Sequence, residues 1–95
     1  MSKTNFLIRG NICGERVRLG RALQKPPMNQ EDLEIRLQLM GYEMTKLIIS
    51  RIENNQRHVC DAELVALSQA LGVSMDWLCG LTDEIKLSDV NKTQR

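Results

Sequence analysis

The sequence predicts an all-α fold, a compact bundle of five short helices. Three observations carry that expectation. Apolar residues recur at helical intervals of three and four along the chain. Capping residues stand just ahead of those runs, at Asn29, Thr45, Asp61 and Ser74. Glycine, proline or asparagine follows each run, where a helix has to stop.

The first helix is expected over Cys13 to Leu23, with Cys13, Val17 and Gly20 on its apolar stripe and Ile12, Leu19 and Leu23 widening it. Arg16, Arg18 and Arg21 occupy its other faces. Lys25-Pro26-Pro27 ends it, because the first proline disfavours helical geometry in the residue before it and neither proline has an N–H to donate. Asn29 caps the second helix, which runs to about Leu39 with Leu33, Leu37 and Met40 on its apolar side, and Met28 is placed to staple onto Leu33. After the turn Gly41-Tyr42-Glu43-Met44, Thr45 caps a third helix over about Lys46 to Asn54, with Met44 and Ile49 as a second staple. Ile49 and Ile52 share its inner side, Ile48 turns partly inward, and Lys46, Leu47, Ser50, Arg51 and Asn54 share the outer side. Asn55 supplies a left-handed ending. Asp61 is expected to cap the fourth helix, with Leu64, Leu67, Ala70 and Leu71 inward and Gly72 as terminator. Ser74 caps the fifth, stapled by Val73 and Leu78, carrying Trp77 and ending at Gly80. From residue 81 the composition turns polar apart from Leu81, Ile85, Leu87 and Val90, which predicts a weakly ordered tail with at most one helical turn. The organisation is therefore an N-terminal segment over 1–11, a domain over 12–80 and a tail over 81–95.

With 95 residues, 42% of them hydrophobic, there is material for one small core and none for a large enzyme. One histidine, no glycine-rich phosphate loop and no obvious nucleophile and base pair disfavour any enzyme, and no cofactor is expected. The apolar runs are far shorter than the ~20 residues of a membrane span, and the N-terminus lacks the apolar stretch of a signal peptide. A cytoplasmic protein without membrane association is expected. Cys13, Cys60 and Cys79 cannot all pair within one chain, and His58 with Cys60 lacks the second ligand pair of a closed zinc site. The expectation is no metal, reduced cysteines buried as small hydrophobes, and His58 on the surface.

The net charge of +1 conceals an uneven distribution: residues 1–30 carry +5, 31–57 carry −1 and 58–95 carry −3. Such polarity suits a domain that presents one basic side to a polyanion. The second and third helices, joined by a short glycine-containing turn, form a helix-turn-helix candidate. A reading helix has to fit the major groove with side chains that hydrogen-bond base edges. Arg51 suits bidentate contact with guanine, Lys46 guanine or phosphate, Ser50 several base edges and Leu47 a thymine methyl.

Several segments together carry a resemblance: Asn29-Gln30-Glu31-Asp32-Leu33, then Ile49-Ser50-Arg51-Ile52-Glu53-Asn54, then Ala70-Leu71-Gly72-Val73-Ser74-Met75-Asp76-Trp77-Leu78. In this order they resemble the helix-turn-helix domain of the phage repressor and Cro type, the xenobiotic-response-element family, over about residues 14–80. The resemblance implies a five-helix bundle of the phage-repressor type that binds DNA. It implies that Lys46, Leu47, Ser50 and Arg51 enter the groove, that Gln30 contacts a phosphate, and that Thr45 and Asn54 flank them on the DNA backbone. Glu53 is expected to be structural, pairing with a basic group or a helix end. Arg16, Arg18 and Arg21 are secondary candidates for phosphate contact. The turn at 41–44 is about two residues longer than the family's common form, the first linker holds two prolines, and Glu34 stands where the family has a small residue, departures that bear on the angle between the second and third helices.

The expected function is sequence-specific double-stranded DNA binding by a transcriptional regulator, a repressor, that reads a two-fold-related site as a homodimer. The dimer surface is sought between Trp77 and Val90. The competing expectation is a protein-interaction module, an antitoxin or regulatory adaptor of the same fold, with Leu47 and Met44 facing a protein partner.

Overall fold

A computed structural model describes residues 10–85, and these form five helices with no strand among them. We number them α1 (Gly14–Ala22), α2 (Gln30–Leu39), α3 (Lys46–Glu53), α4 (Asp61–Leu71) and α5 (Met75–Leu78). The all-α expectation is met. α1 packs against α3, α4 and α5, while α2 packs against α3 and α4. Leu33, Leu37, Ile49, Ile52, Leu67, Leu78 and Val17 are the largest fully buried side chains, so every helix contributes to one core.

The helix starts follow the sequence logic closely. The Asn29 side chain accepts from the Asp32 N–H at 2.7 Å while the Asp32 carboxylate accepts from the Asn29 N–H at 3.0 Å, a reciprocal capping box. Thr45 accepts from the Ile48 N–H and Ser74 from the Trp77 N–H. Met28 with Leu33, Met44 with Ile49 and Val73 with Leu78 are all buried, as the staples require. Four helices also end alike. At Gly41, Asn55, Gly72 and Gly80 the chain takes a positive φ, and the next residue's N–H reaches back to a carbonyl five positions earlier. Tyr42 thus donates to Leu37, Gln56 to Arg51, Val73 to Ser68 and Leu81 to Asp76.

Several expectations need correction. Ile12, Leu19 and Leu23 do not widen a buried stripe; all three are exposed, because α1 presents its Val17 and Gly20 side to the core. Met40 is exposed as well, since it lies at the C-cap of α2, one residue past the helix. Cys60, not Asp61, is the N-cap of α4, with Glu63 accepting its N–H at 3.1 Å and Asp61 opening the helix. Cys60 is consequently exposed and Cys79 half-buried, and only Cys13 behaves as a buried hydrophobe. Burial pushes the Cys13 thiol up to about 11, with a further contribution from nearby Cys79. Leu64 is half-buried, whereas Ala66 and Ser68 join the core unannounced. Asn11 and residues 82–85 join the body on either side of the 12–80 span, through bonds such as Ser74 N–H to Ile85. Leu87, Val90 and the expected helical turn of the tail lie outside the described residues.

Glu63 gives the α4 start a pH dependence. Burial opposes its ionisation, but the two terminal nitrogens of the Arg57 guanidinium, at 3.0 and 3.1 Å, and the Cys60 N–H outweigh it and hold the carboxyl below its usual range. A carboxyl depressed on folding stabilises the fold above its unfolded pKa of about 4.3 and loses that contribution as pH falls through the folded value. Glu63→Gln is expected to lower the thermal midpoint at neutral pH, and the difference from wild type should close as the pH falls through and below about 4. Melts across that range check this; a difference that does not vary with pH would refute it.

Candidate nucleic-acid interface

α3 owes its orientation to a buried ionic knot at its C-terminal end. The Glu53 side chain is completely buried, and Arg21 on α1 grips it with two bonds of 2.7 Å, Nε to Oε2 and Nη2 to Oε1. Hydrogen bonding to Glu53 raises the Arg21 pKa above its ordinary value. Gln30, the first residue of α2, donates to Glu53 Oε1 at 3.0 Å, and Arg21 also donates to the Met28 carbonyl at 2.9 Å. One carboxylate therefore ties α1, the start of α2 and the end of α3 together. The expectation that Glu53 pairs with a basic group is met.

A second clamp, missed in the sequence, comes from Asn11. Its Nδ2 donates to the carbonyls of Ile52 and Arg57, and its Oδ1 accepts from the N–H groups of Cys13 and Gly14. It fixes the end of α3 while capping the entry to α1. An asparagine three residues ahead of a helix start was the available signal. Gly14 then lies so close to the Ile52 carbonyl that no side chain fits between.

Held in this way, α3 turns Ile49, Ile52 and Glu53 inward and presents the opposite side to solvent. Lys46, Leu47 and Arg51 are exposed, Leu47 at 59%, and Ser50 is half-buried. These four and Asn54 share one face of a continuous helix, with the Asn54 amide 3.4 Å from Ser50 Oγ. Ile48 packs against the core, as its position predicts. Thr45 is exposed at the N-cap, with its hydroxyl on the Ile48 N–H at 3.3 Å. Gln30 is half-buried and its amide is directed at Glu53, while Glu31 and Asp32 bring negative charge to the same helix end.

The three secondary arginines have different surroundings. Arg16 lies 4.7 Å over the Trp77 ring and donates to the carbonyls of Trp77 and Thr82 and to Asp83. Arg18 stays half-exposed beside the end of α3, bonding Asn54 Oδ1 at 3.2 Å with its Nε 3.6 Å from Glu53. Arg21 is occupied by Glu53 and Met28. Met44, expected at a partner surface, is buried by its staple contact and faces the core instead.

His58 is exposed, its Nδ1 2.7 Å from the Gly10 carbonyl. No group of three potential metal ligands occurs among the described residues, and no helix there is long and apolar enough to cross a membrane. Compared with protein-family models, curated proteins and solved structures, the chain gives no match.

Proposed function

We propose that this chain is a sequence-specific double-stranded DNA-binding transcriptional regulator of the phage-repressor type, a repressor that acts in the cytoplasm by occluding an operator. The observation that supports it best is the solvent-facing side of α3, where Lys46, Leu47, Ser50 and Arg51 stand on a helix anchored by Ile49, Ile52 and Glu53. A rigidly held helix with free hydrogen-bonding groups is what major-groove reading needs. Arg51 addresses guanine, Lys46 guanine or phosphate, Ser50 a base edge and Leu47 a thymine methyl. Gln30, Thr45 and Asn54 contact the DNA backbone, and Arg18 is the secondary arginine best placed to join them. One eight-residue helix reads only a few base pairs, so a homodimer on a two-fold-related site follows.

Arg51→Ala is expected to lower affinity for the preferred site by about 1–3 kcal/mol and to relax preference at one base pair per half-site, with an unchanged thermal midpoint. Selection from a randomised duplex pool, then titration at two salt concentrations, measures this. Weak binding without sequence preference, identical in the variant, would sink the reading. One observation favours a second reading, a protein-interaction module: Leu39 at 83% exposure and Leu47 at 59% are large apolar groups in the two helices that flank the turn. That module would show little salt-dependent affinity for DNA.

A further inference from the structure

The DNA reading leaves one concave site unused. A pocket of about 290 Å³ opens between the entry to α1, the loop joining α3 to α4, the first turn of α4 and the end of α5. Ile12, Cys13, Val59, Leu64 and Cys79 supply its apolar wall, and Gly10, Asn11 and His58 complete it. The volume is ample for a single substituted ring, since benzene already enters a cavity of about 150 Å³. One wall is held in place by the fold's own bonds. Asn11 has no hydrogen-bonding position left, because its amide hydrogens go to the Ile52 and Arg57 carbonyls and its oxygen accepts from the Cys13 and Gly14 N–H groups. Gly10 lies against the Asn55 and Arg57 carbonyls, too close for a side chain. A ligand therefore has little to order on that side when it enters.

His58 sets the polarity of what can bind. Its Nδ1 lies 2.7 Å from the Gly10 carbonyl, which can only accept, so the ring proton sits on Nδ1. In the neutral imidazole Nε2 is then an acceptor, and among the described residues no group donates to it. The two thiols add no charge. Burial pushes Cys13 up to about 11 and raises Cys79 as well, with help from Asp76, so both stay protonated at neutral pH. Sulfur is also a favourable neighbour for an aromatic ring. We propose that this pocket binds a small neutral phenol, its ring against Ile12, Val59, Leu64 and the two thiols and its hydroxyl donating to His58 Nε2. A carboxylate would bring a negative charge to an apolar wall and an acceptor, and an ether would leave Nε2 without a donor. Occupancy is independent of DNA, so it stands or falls apart from the DNA-binding reading.

The test is titration of the isotope-labelled whole chain with para-cresol, without DNA, followed through the amide resonances. Saturable shifts are expected at Gly10, Asn11, Cys13, Val59, Leu64 and Cys79, with a dissociation constant below about 1 mM. The methyl ether of para-cresol has the same ring and no proton to donate, and should bind about tenfold more weakly. His58→Phe keeps a ring at the pocket and removes the acceptor. It should weaken para-cresol about tenfold and leave the ether unchanged, which separates the lost hydrogen bond from a disturbed wall. Cys79→Phe fills the space and should abolish both, with circular dichroism verifying its fold. Should either variant fail to fold, the comparison of phenol and ether on wild type decides alone. No saturation in the millimolar range, shifts centred elsewhere, equal affinity for phenol and ether, or a folded His58→Phe protein that still prefers the phenol would each overturn the proposal.

Discussion

Arg21→Ala is expected to destabilise the protein by about 3–5 kcal/mol, a large share of the roughly 5–15 kcal/mol that holds a small domain folded. The reason is what remains behind. The Glu53 side chain has no exposure to solvent, and Arg21 is its bidentate partner. Without the guanidinium, a carboxylate stays buried with the Gln30 amide at 3.0 Å and the half-exposed Arg18 at 3.6 Å. The Met28 carbonyl loses a donor in the same step. Arg21→Lys should recover only part of the loss, because an ammonium cannot reproduce the two parallel bonds. Arg21→Met combined with Glu53→Leu should be milder than Arg21→Ala, since no charge is then left buried. Urea unfolding of the four proteins measures the order; a loss below about 1 kcal/mol for Arg21→Ala would show that the pair does not hold the fold. Because the same carboxylate ties α1, α2 and α3 together, DNA affinity should fall with stability even though neither residue lies on the outer face of α3.

Gly14→Ala should carry the second large effect, about 3 kcal/mol, near the upper end of the usual cost of overpacking. A Cβ at residue 14 would collide with the Ile52 carbonyl, a backbone atom within α3 that cannot withdraw unless the helix moves. Gly20→Ala is the matched comparison on the same helix. There the nearest atom is Leu71 Cδ1 at 3.1 Å, the end of a flexible side chain, and alanine gains up to about 1 kcal/mol in helix propensity over glycine. Gly20→Ala should therefore be close to neutral. Thermal melts of both variants give the contrast, and equal destabilisation would refute the idea that α1 seats on the backbone of α3. The Gly14 variant should also lose specific DNA binding beyond its loss of stability, because relief of the clash shifts the end of the reading helix.

Much of the fold was legible because helix boundaries depend on short stretches of chain. Asn29, Thr45 and Ser74 cap where their hydroxyl or amide can reach an N–H three residues on, and Gly41, Asn55, Gly72 and Gly80 stop helices because they tolerate a positive φ. Asp61 was misread as a cap because Cys60, one residue earlier, takes that place with help from Glu63. The outer side of α3 was legible for the same local reason: Ile49 and Ile52 fix which side is inward, and the helical repeat sets Lys46, Leu47, Ser50 and Arg51 opposite them.

The arginines of α1 mark where local reading ends. Arg16, Arg18 and Arg21 are chemically alike and lie within two turns of one helix, yet one stacks on Trp77, one borders the end of α3 and one is paired with Glu53. Glu53 was readable as structural, but its partner lies 32 residues away on another helix. In the same way Ile12, Leu19 and Leu23 have the apolar character of core residues and are nevertheless exposed, because α1 seats its Gly14 and Gly20 side, where the backbone comes closest to its neighbours. By itself the sequence determined the five helices, most of their ends and the outward side of α3, since each depends on interactions spanning five residues or fewer. Only the tertiary structure decided which arginine holds Glu53, which apolar residues remain outside and how α3 is gripped, because those depend on how closely two backbones approach and on which side chains from distant parts of the chain then meet.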